Sequence, residues 1–301
     1  MKTITSSEAR CRRRCPRLHH LQYQQLYRPA KVSAALASGT VWHLWREGKP
    51  GQVDDPYENA KLEAMNALYP SRDYEVLGVE VSFRIPLLNP ATMRASRTWE
   101  IAGVIDKIVR IGGLVFVLDH KTSGENITPG SRFWQRLALD TQMSVYVMAA
   151  EAMGYDIAGF YYDVVGKPGI KPHKATPEEK RKTKKDGSYY ASVRLEDETP
   201  QEYGQRCLEA IQAEPERYYQ LQDYARTEGQ LRDCMADLWA QALEIHSSSR
   251  AGLHPRNPEA CMQYGECPFW AHCAYGEELE GNERFVKIAC AHPEVEERRV
   301  L

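Results

Sequence analysis

The chain has 301 residues, 27% of them charged, and a formal net charge of −2, so its overall charge favours no class of partner. That length suits one large domain or two small ones. No stretch approaches the ~20 apolar residues of a membrane-spanning helix, and residues 1 to 14 lack the apolar core of a secretory signal. Eight cysteines without such a signal point to a reducing cytoplasm and to free thiols rather than disulfides. The charge is unevenly spread. Residues 1 to 31 hold eight Lys/Arg and one acid, Glu8; residues 166 to 190 hold eight Lys/Arg and three acids. Both clusters are candidate phosphate-contacting surfaces.

In chain order, residues 1 to 30 are basic and aromatic, with Tyr23 and Tyr27 at i, i+4. Residues 31 to 47 read as a helix ending near Gly48. Residues 50 to 56 read as a loop, and residues 58 to 68 as a short helix stopped by Pro70. Residues 74 to 85 alternate as a strand interrupted by Glu80. Residues 101 to 109 form an apolar run containing Asp106, and Gly112-Gly113 supplies a hairpin turn. Residues 114 to 118 are continuously apolar, as in a strand buried on both faces. Residues 132 to 153 read as one long helix, and residues 157 to 165 as an aromatic strand. Residues 167 to 187 have three prolines and no apolar periodicity, so they read as a mobile loop. A strand over 189 to 195 and a mostly helical stretch over 199 to 247, broken at Pro215, follow. The fold class is α/β, a mixed sheet flanked by helices. The division is a basic segment 1–30, a core 31–198 and a helical, cysteine-rich region 199–301.

The hairpin carries the chemistry. Asp119 and Lys121 end its second strand; side chains alternate, so they share a face and His120 points away. Charge at the mouth of a buried strand is costly to desolvate. Two carboxylates, Asp106 and Asp119, fit Mg²⁺ or Mn²⁺, which take oxygen ligands. A neighbouring lysine can orient a water or stabilise charge on a phosphorane. The bland reading is a hairpin with surface charges at its ends.

Ile105-Asp106 followed by Asp119-His120-Lys121 resembles the motif of the PD-(D/E)XK nuclease superfamily. Gly39-x-x-x-His43 on the upstream helix is similar to the pattern of its RecB-like branch, where the histidine completes the metal shell. Gln142-x-x-x-Tyr146 resembles the same branch's motif that faces the site. Three evenly spaced cysteines, Cys261, Cys267 and Cys273, suggest a metal-binding loop; with Cys15 of Cys15-Pro16-Arg17 they look like the 4Fe-4S staple of iron–sulfur exonucleases such as the AddB nuclease domain and the four-cysteine CRISPR-associated exonucleases. Their spacing is wider than in several relatives. Cys11 competes with Cys15, and structural Zn²⁺ is the rival metal, although zinc sites usually use shorter spacings. Cys207, Cys234 and Cys290 read as plain thiols.

The resemblance implies a Mg²⁺- or Mn²⁺-dependent DNA exonuclease of phage or bacterial recombination or repair. His43, Asp106 and Asp119 would bind the metal, with the His120 backbone carbonyl as a further oxygen; Glu80 is a candidate ligand whose bland reading, a solvent-facing strand residue, is the stronger. Lys121 would act on the attacking water, and Gln142 and Tyr146 would position the strand. Arg12, Arg13, Arg14, Arg17, Lys182, Lys184 and Lys185 would hold the backbone of DNA with a free end, single-stranded where aromatics stack its bases. The chain shows no Gly-x₄-Gly-Lys-Ser/Thr phosphate loop, so a helicase, like a recombinase or annealing protein, would be a separate partner. The alternatives are a silent nucleic-acid-binding protein of the same fold and an iron–sulfur scaffold in a larger complex.

Overall fold

The computed structural model describes residues 1–263 and 265–296. Its strands are β1 Lys2–Ile4, β2 Tyr27–Pro29, β3 Glu75–Leu88, β4 Ala95–Ile111, β5 Leu114–Ser123, β6 Ile157–Gly166, β7 Tyr219–Tyr224 and β8 Phe285–Lys287. Its α-helices are α1 Ser6–Arg14, α2 Pro16–His19, α3 Ala34–Arg46, α4 Pro56–Ala67, α5 Arg132–Leu137, α6 Thr141–Ala152, α7 Pro200–Ala213, α8 Pro215–Tyr218, α9 Glu228–Ala251, α10 Trp270–Tyr275 and α11 Pro293–Glu296.

Six strands form one mixed sheet. β4 pairs antiparallel with β3 along one edge. Its other edge is shared: β1 runs parallel to Trp99–Ile101, and β5 runs antiparallel to Lys107–Ile111. β5 then pairs in parallel with β6, and β6 antiparallel with β7. Gly112 and Gly113, at φ 57° and 87°, close the β4–β5 hairpin in the left-handed region that glycine enters without strain. The parallel β5–β6 pair needs a crossover, which α5 and α6 supply.

Helices cover both faces. On one, α6 and α9 bury Met143, Val147, Leu238 and Ile245 against Ile105, Val117 and Phe160. On the other, α3, α4 and α7 bury Trp42, Leu62, Met65, Tyr203 and Ile211. A third, small core joins the two ends of the chain: Leu18 and Leu21 meet Phe269, Leu279 and Phe285. Among the described residues no helix is long and apolar enough to cross a membrane.

The mixed α/β architecture agrees with the sequence; several elements do not. The single helix over 132 to 153 is two, because Asp140 takes an extended backbone and its carboxylate caps α6 by accepting from Gln142 N–H. No strand forms over 189 to 195. That stretch makes only the isolated bridge Thr183↔Tyr189, and the free edge of β6 is taken instead by β7, which lies inside the stretch read as helical. β1 also belongs to the core sheet, so the three-part division does not follow the sheet: its strands come from all three parts.

Candidate active site

The site lies where the sheet forks. β4 and β5 pair from Ile111↔Leu114 as far as Lys107↔Leu118 and then part, β4 toward β1 and β5 toward β6 alone. Asp106 and Asp119 are the first residues beyond the fork on their strands. Parting leaves backbone groups without ladder partners, and buried N–H groups must find others. The N–H of His120 donates to Asp106 Oδ2 at 3.0 Å.

Helices on both faces complete the cluster. From α3, His43 Nδ1 lies 3.2 Å from Asp106 Oδ2. From α6, Gln142 Nε2 donates to Asp119 Oδ1 at 3.1 Å and to the Tyr146 hydroxyl at 2.8 Å. Lys121 Nζ stands 2.6 Å from Asp119 Oδ2 and donates to Gln142 Oε1 at 3.4 Å. The ring of Tyr162 lies under that ammonium, 5.4 Å from it. Gly103 is a packing requirement of this arrangement. It faces Phe83 across the sheet, a Cβ there would come within 2.7 Å of the ring, and that ring packs edge-on against Tyr146.

Burial sets the charge states. It pushes the Asp119 carboxyl up to about 6, with Lys121 pulling down and Asp106 pushing further up. Burial also opposes charge on Asp106, but the hydrogen bond and charge of His43 outweigh it and hold that carboxyl below its ordinary range. Burial works against a charged His43 too, and Asp106 reverses the balance, raising the imidazole. Lys121 is raised in the same way, with Asp119 outweighing burial. The two carboxylates are thus driven apart, as at sites that divide acid, base and ligand roles.

Glu80 stands across β4 from Asp106, between the pairs Val79↔Lys107 and Val81↔Ile105. Its φ of 51° is the left-handed conformation that side chains other than glycine rarely adopt. Strain of that kind concentrates at functional positions. Asp163 was missed by the sequence reading. It is fully buried, lies 3.3 Å from His120 Nδ1, and accepts from Arg72 NH2 at 2.7 Å and from the Tyr69 hydroxyl. The signal was a charge inside the apolar strand 157–165, the same signal that marked Asp106.

A family model described as the PD-(D/E)XK nuclease superfamily matches residues 59–274. The chain belongs to the PD-(D/E)XK nuclease superfamily. No curated protein matches it. A solved structure described as "Crystal structure of SSO0001" is similar at 14% identity and a TM-score of 0.32, over 78% of this chain and 84% of that one. The matched span holds Asp106, Asp119, Lys121, Gln142 and Tyr146; His43 and Cys15 precede it.

PD-(D/E)XK nucleases usually use Mg²⁺ or Mn²⁺, and the donor set of this chain suits such an ion. Two carboxylates and an imidazole adjoin, and Asp119 Oδ2 accepts no well-directed hydrogen bond although Lys121 is close. Among the described residues no group of three or more His, Cys, Asp or Glu side chains already stands in ion-holding geometry.

The four cysteines grouped in the sequence border one cavity. Cys15, Cys261, Cys267 and Cys273 line one cavity of about 330 Å³ with Leu18, Leu21 and Phe269. Cys11 does not line it; its thiol donates to Gln22 Oε1 at 3.4 Å, and burial pushes it up to about 12. Cys207 and Cys234 are buried elsewhere. The N-terminal arginines mostly tie down the cap. Arg17 donates to the carbonyl of His254 and Arg14 to that of Ala260. Arg12 corrects the sequence reading: it is 5% exposed and donates to Ser248 Oγ, so it cannot reach a nucleic-acid backbone. Arg13 donates to Thr141 Oγ1 at the start of α6 and stays exposed, as do Lys182, Lys184 and Lys185.

Proposed function

We propose that this chain is a Mg²⁺- or Mn²⁺-dependent DNA exonuclease of the RecB-like branch, with a cysteine cap that holds a 4Fe-4S cluster. The observation that carries the reading is the continuous network at the fork: His43 to Asp106, Asp106 to the His120 backbone, and Asp119 to both Lys121 and Gln142. Residues from two strands and two helices, far apart in sequence, meet there.

His43, Asp106 and Asp119 would hold the ion, with the His120 carbonyl and Glu80 as further oxygen donors. A bound Mg²⁺ or Mn²⁺ lowers the pKa of an attacking water and neutralises charge on the scissile phosphate. Lys121 stays protonated beside Asp119 and orients that water or stabilises charge at the phosphorus. Gln142 fixes the lysine and Asp119 together, and Tyr146 fixes Gln142. In the cap, four thiols around one cavity suit a cluster, and structural Zn²⁺ is the alternative occupant. The setting we infer is recombination or repair in a bacterial or phage-infected cytoplasm, beside a separate helicase, annealing protein or recombinase.

The test is degradation of end-labelled single- and double-stranded DNA with Mg²⁺ or Mn²⁺, wild type beside Lys121→Ala, using protein purified without oxygen. Loss of DNA that depends on metal and drops by about 10²-fold or more in the variant is expected. The labelled products give the polarity. A folded, cluster-loaded wild type that binds DNA without cleaving it would instead make this a silent binding member of the superfamily.

A further inference from the structure

The cluster at the fork opens toward α3. Among its charged side chains His43, which reaches Asp106 from α3, is the most exposed at 36%, against 21% for Lys121, 13% for Asp106 and 2% for Asp119. Strand alternation puts Lys107 on the opposite face of β4 from Asp106, the face that carries His120 and α3. Arg46 follows His43 by three residues on the same helix, so the two share a side. A strand entering at His43 therefore meets Arg46 and Lys107 next.

What stands there alternates cations with rings. The Arg46 guanidinium lies 4.1 Å from the ring centre of Tyr69 and 4.5 Å from that of Trp42. Lys107 Nζ lies 5.9 Å from the ring centre of Tyr74. The carboxylates nearby are already engaged. Asp163 is fully buried and taken by Arg72, Tyr69 and His120, and Glu47 is paired with Lys49 at 2.5 Å. Among the described residues neither Arg46 nor Lys107 makes an ion pair. Arg46 donates to the neutral Asn66 Oδ1, so both cations keep their charge for an anion. Cations interleaved with aromatic faces are the pattern with which proteins hold single-stranded nucleic acid.

We infer that Arg46, Lys107 and Tyr74 form a subsite for the single-stranded segment next to the scissile phosphate, the cations holding a backbone phosphate and the tyrosine a base. This inference rests on the nuclease reading of the fork and adds to it the path of the substrate.

The experiment measures binding of a single-stranded oligothymidylate by fluorescence anisotropy, without divalent metal, across a series of salt concentrations. All proteins carry Lys121→Ala. Adding Lys107→Ala should weaken binding and lower the slope of log K against log salt by about 0.7, the value for one lost phosphate contact on a single strand. Lys107→Arg should restore the slope, and Lys287→Ala, an exposed lysine on β8 outside both basic clusters, should leave it in place. Thermal unfolding confirms that each variant is folded. An unchanged slope in Lys107→Ala overturns the subsite, as does a change seen with duplex DNA alone. If the wild type cleaves DNA while the Lys107→Ala slope is unchanged, only this inference falls. If the wild type neither binds nor cleaves DNA, the nuclease reading falls with it.

Discussion

Asp119 and His43 must both give up protons before they can ligate a metal, and their surroundings make that visible in pH. Burial raises Asp119 to about 6, and Asp106 raises His43 above its ordinary value. Asp106 stays charged throughout. Below about pH 6 both proposed ligands carry a proton, and metal binding there would expel two, so affinity should fall steeply on acidification. Between about pH 6 and the raised value of His43 one proton is expelled, and affinity climbs by about tenfold per pH unit. Above that value it levels off. Titration calorimetry with Mn²⁺ in buffers of different ionisation enthalpy measures the released protons directly. His43→Gln should remove the upper branch and keep the lower one. A flat affinity from about pH 5 to pH 8 would mean that neither residue is a ligand. The sequence displayed these residues because each breaks a local pattern: Asp106 interrupts an apolar run, and Asp119 and Lys121 end one. Asp163 breaks its strand in the same way, but its partners Tyr69 and Arg72 lie more than 90 residues away, with nothing local to link them.

At the scale of elements, strands with strong period or turn chemistry were legible and strands defined by their neighbours were not. The β4–β5 hairpin announces itself through Gly112-Gly113 and its apolar runs. β1 is three residues, too short for any period, and becomes a strand only because β4 offers an edge above the fork. β7 alternates as Tyr-Gln-Leu-Gln-Asp-Tyr, a signal masked by helical stretches on both sides of it. The segment over 189 to 195 has strand-forming residues, but β7 takes the edge of β6, which is why propensity misled there. The β3–β4 pair also carries a packing rule that can be tested. Gly103→Ala would drive a methyl to within 2.7 Å of the Phe83 ring, on the stretch of β4 that pairs with β3 beside the fork. Overpacking of this kind costs about 1–3 kcal/mol. The Phe83 ring supports Tyr146, so the variant should lose cleavage as well as thermal stability. A variant with the wild-type melting temperature would show that Phe83 shifts freely and that the contact does not hold the helix α6 in place.

At the scale of the molecule, the two ends of the chain are parts of one cap, and this ties the cysteines to stability rather than to catalysis. Arg14 and Ala260 are 246 residues apart and hydrogen-bonded. Asn257 Nδ2 donates back to the carbonyl of Arg14, the backbone N–H of Arg17 donates to Pro255, and β2 pairs with β8. The apolar core beneath is small, built on Leu18, Leu21, Phe269, Leu279 and Phe285. Small cores of this size usually need a covalent or metal staple. A group bound by Cys15 and by the C-terminal cysteines would close a loop of nearly the whole chain, which in a chain-entropy model stabilises by on the order of 5 kcal/mol at most. Cys261→Ser should therefore lower the thermal midpoint and the bound iron and acid-labile sulfide together. The residues at the fork lie on other elements, so cleavage measured well below the new midpoint should persist. Metal analysis separates the two occupants: iron with equivalent sulfide supports the cluster, and zinc without sulfide supports the rival site. If wild type and Cys261→Ser melt together and neither holds metal, the packing of Leu18 and Leu21 against Phe269 and Phe285 is sufficient by itself to hold the ends.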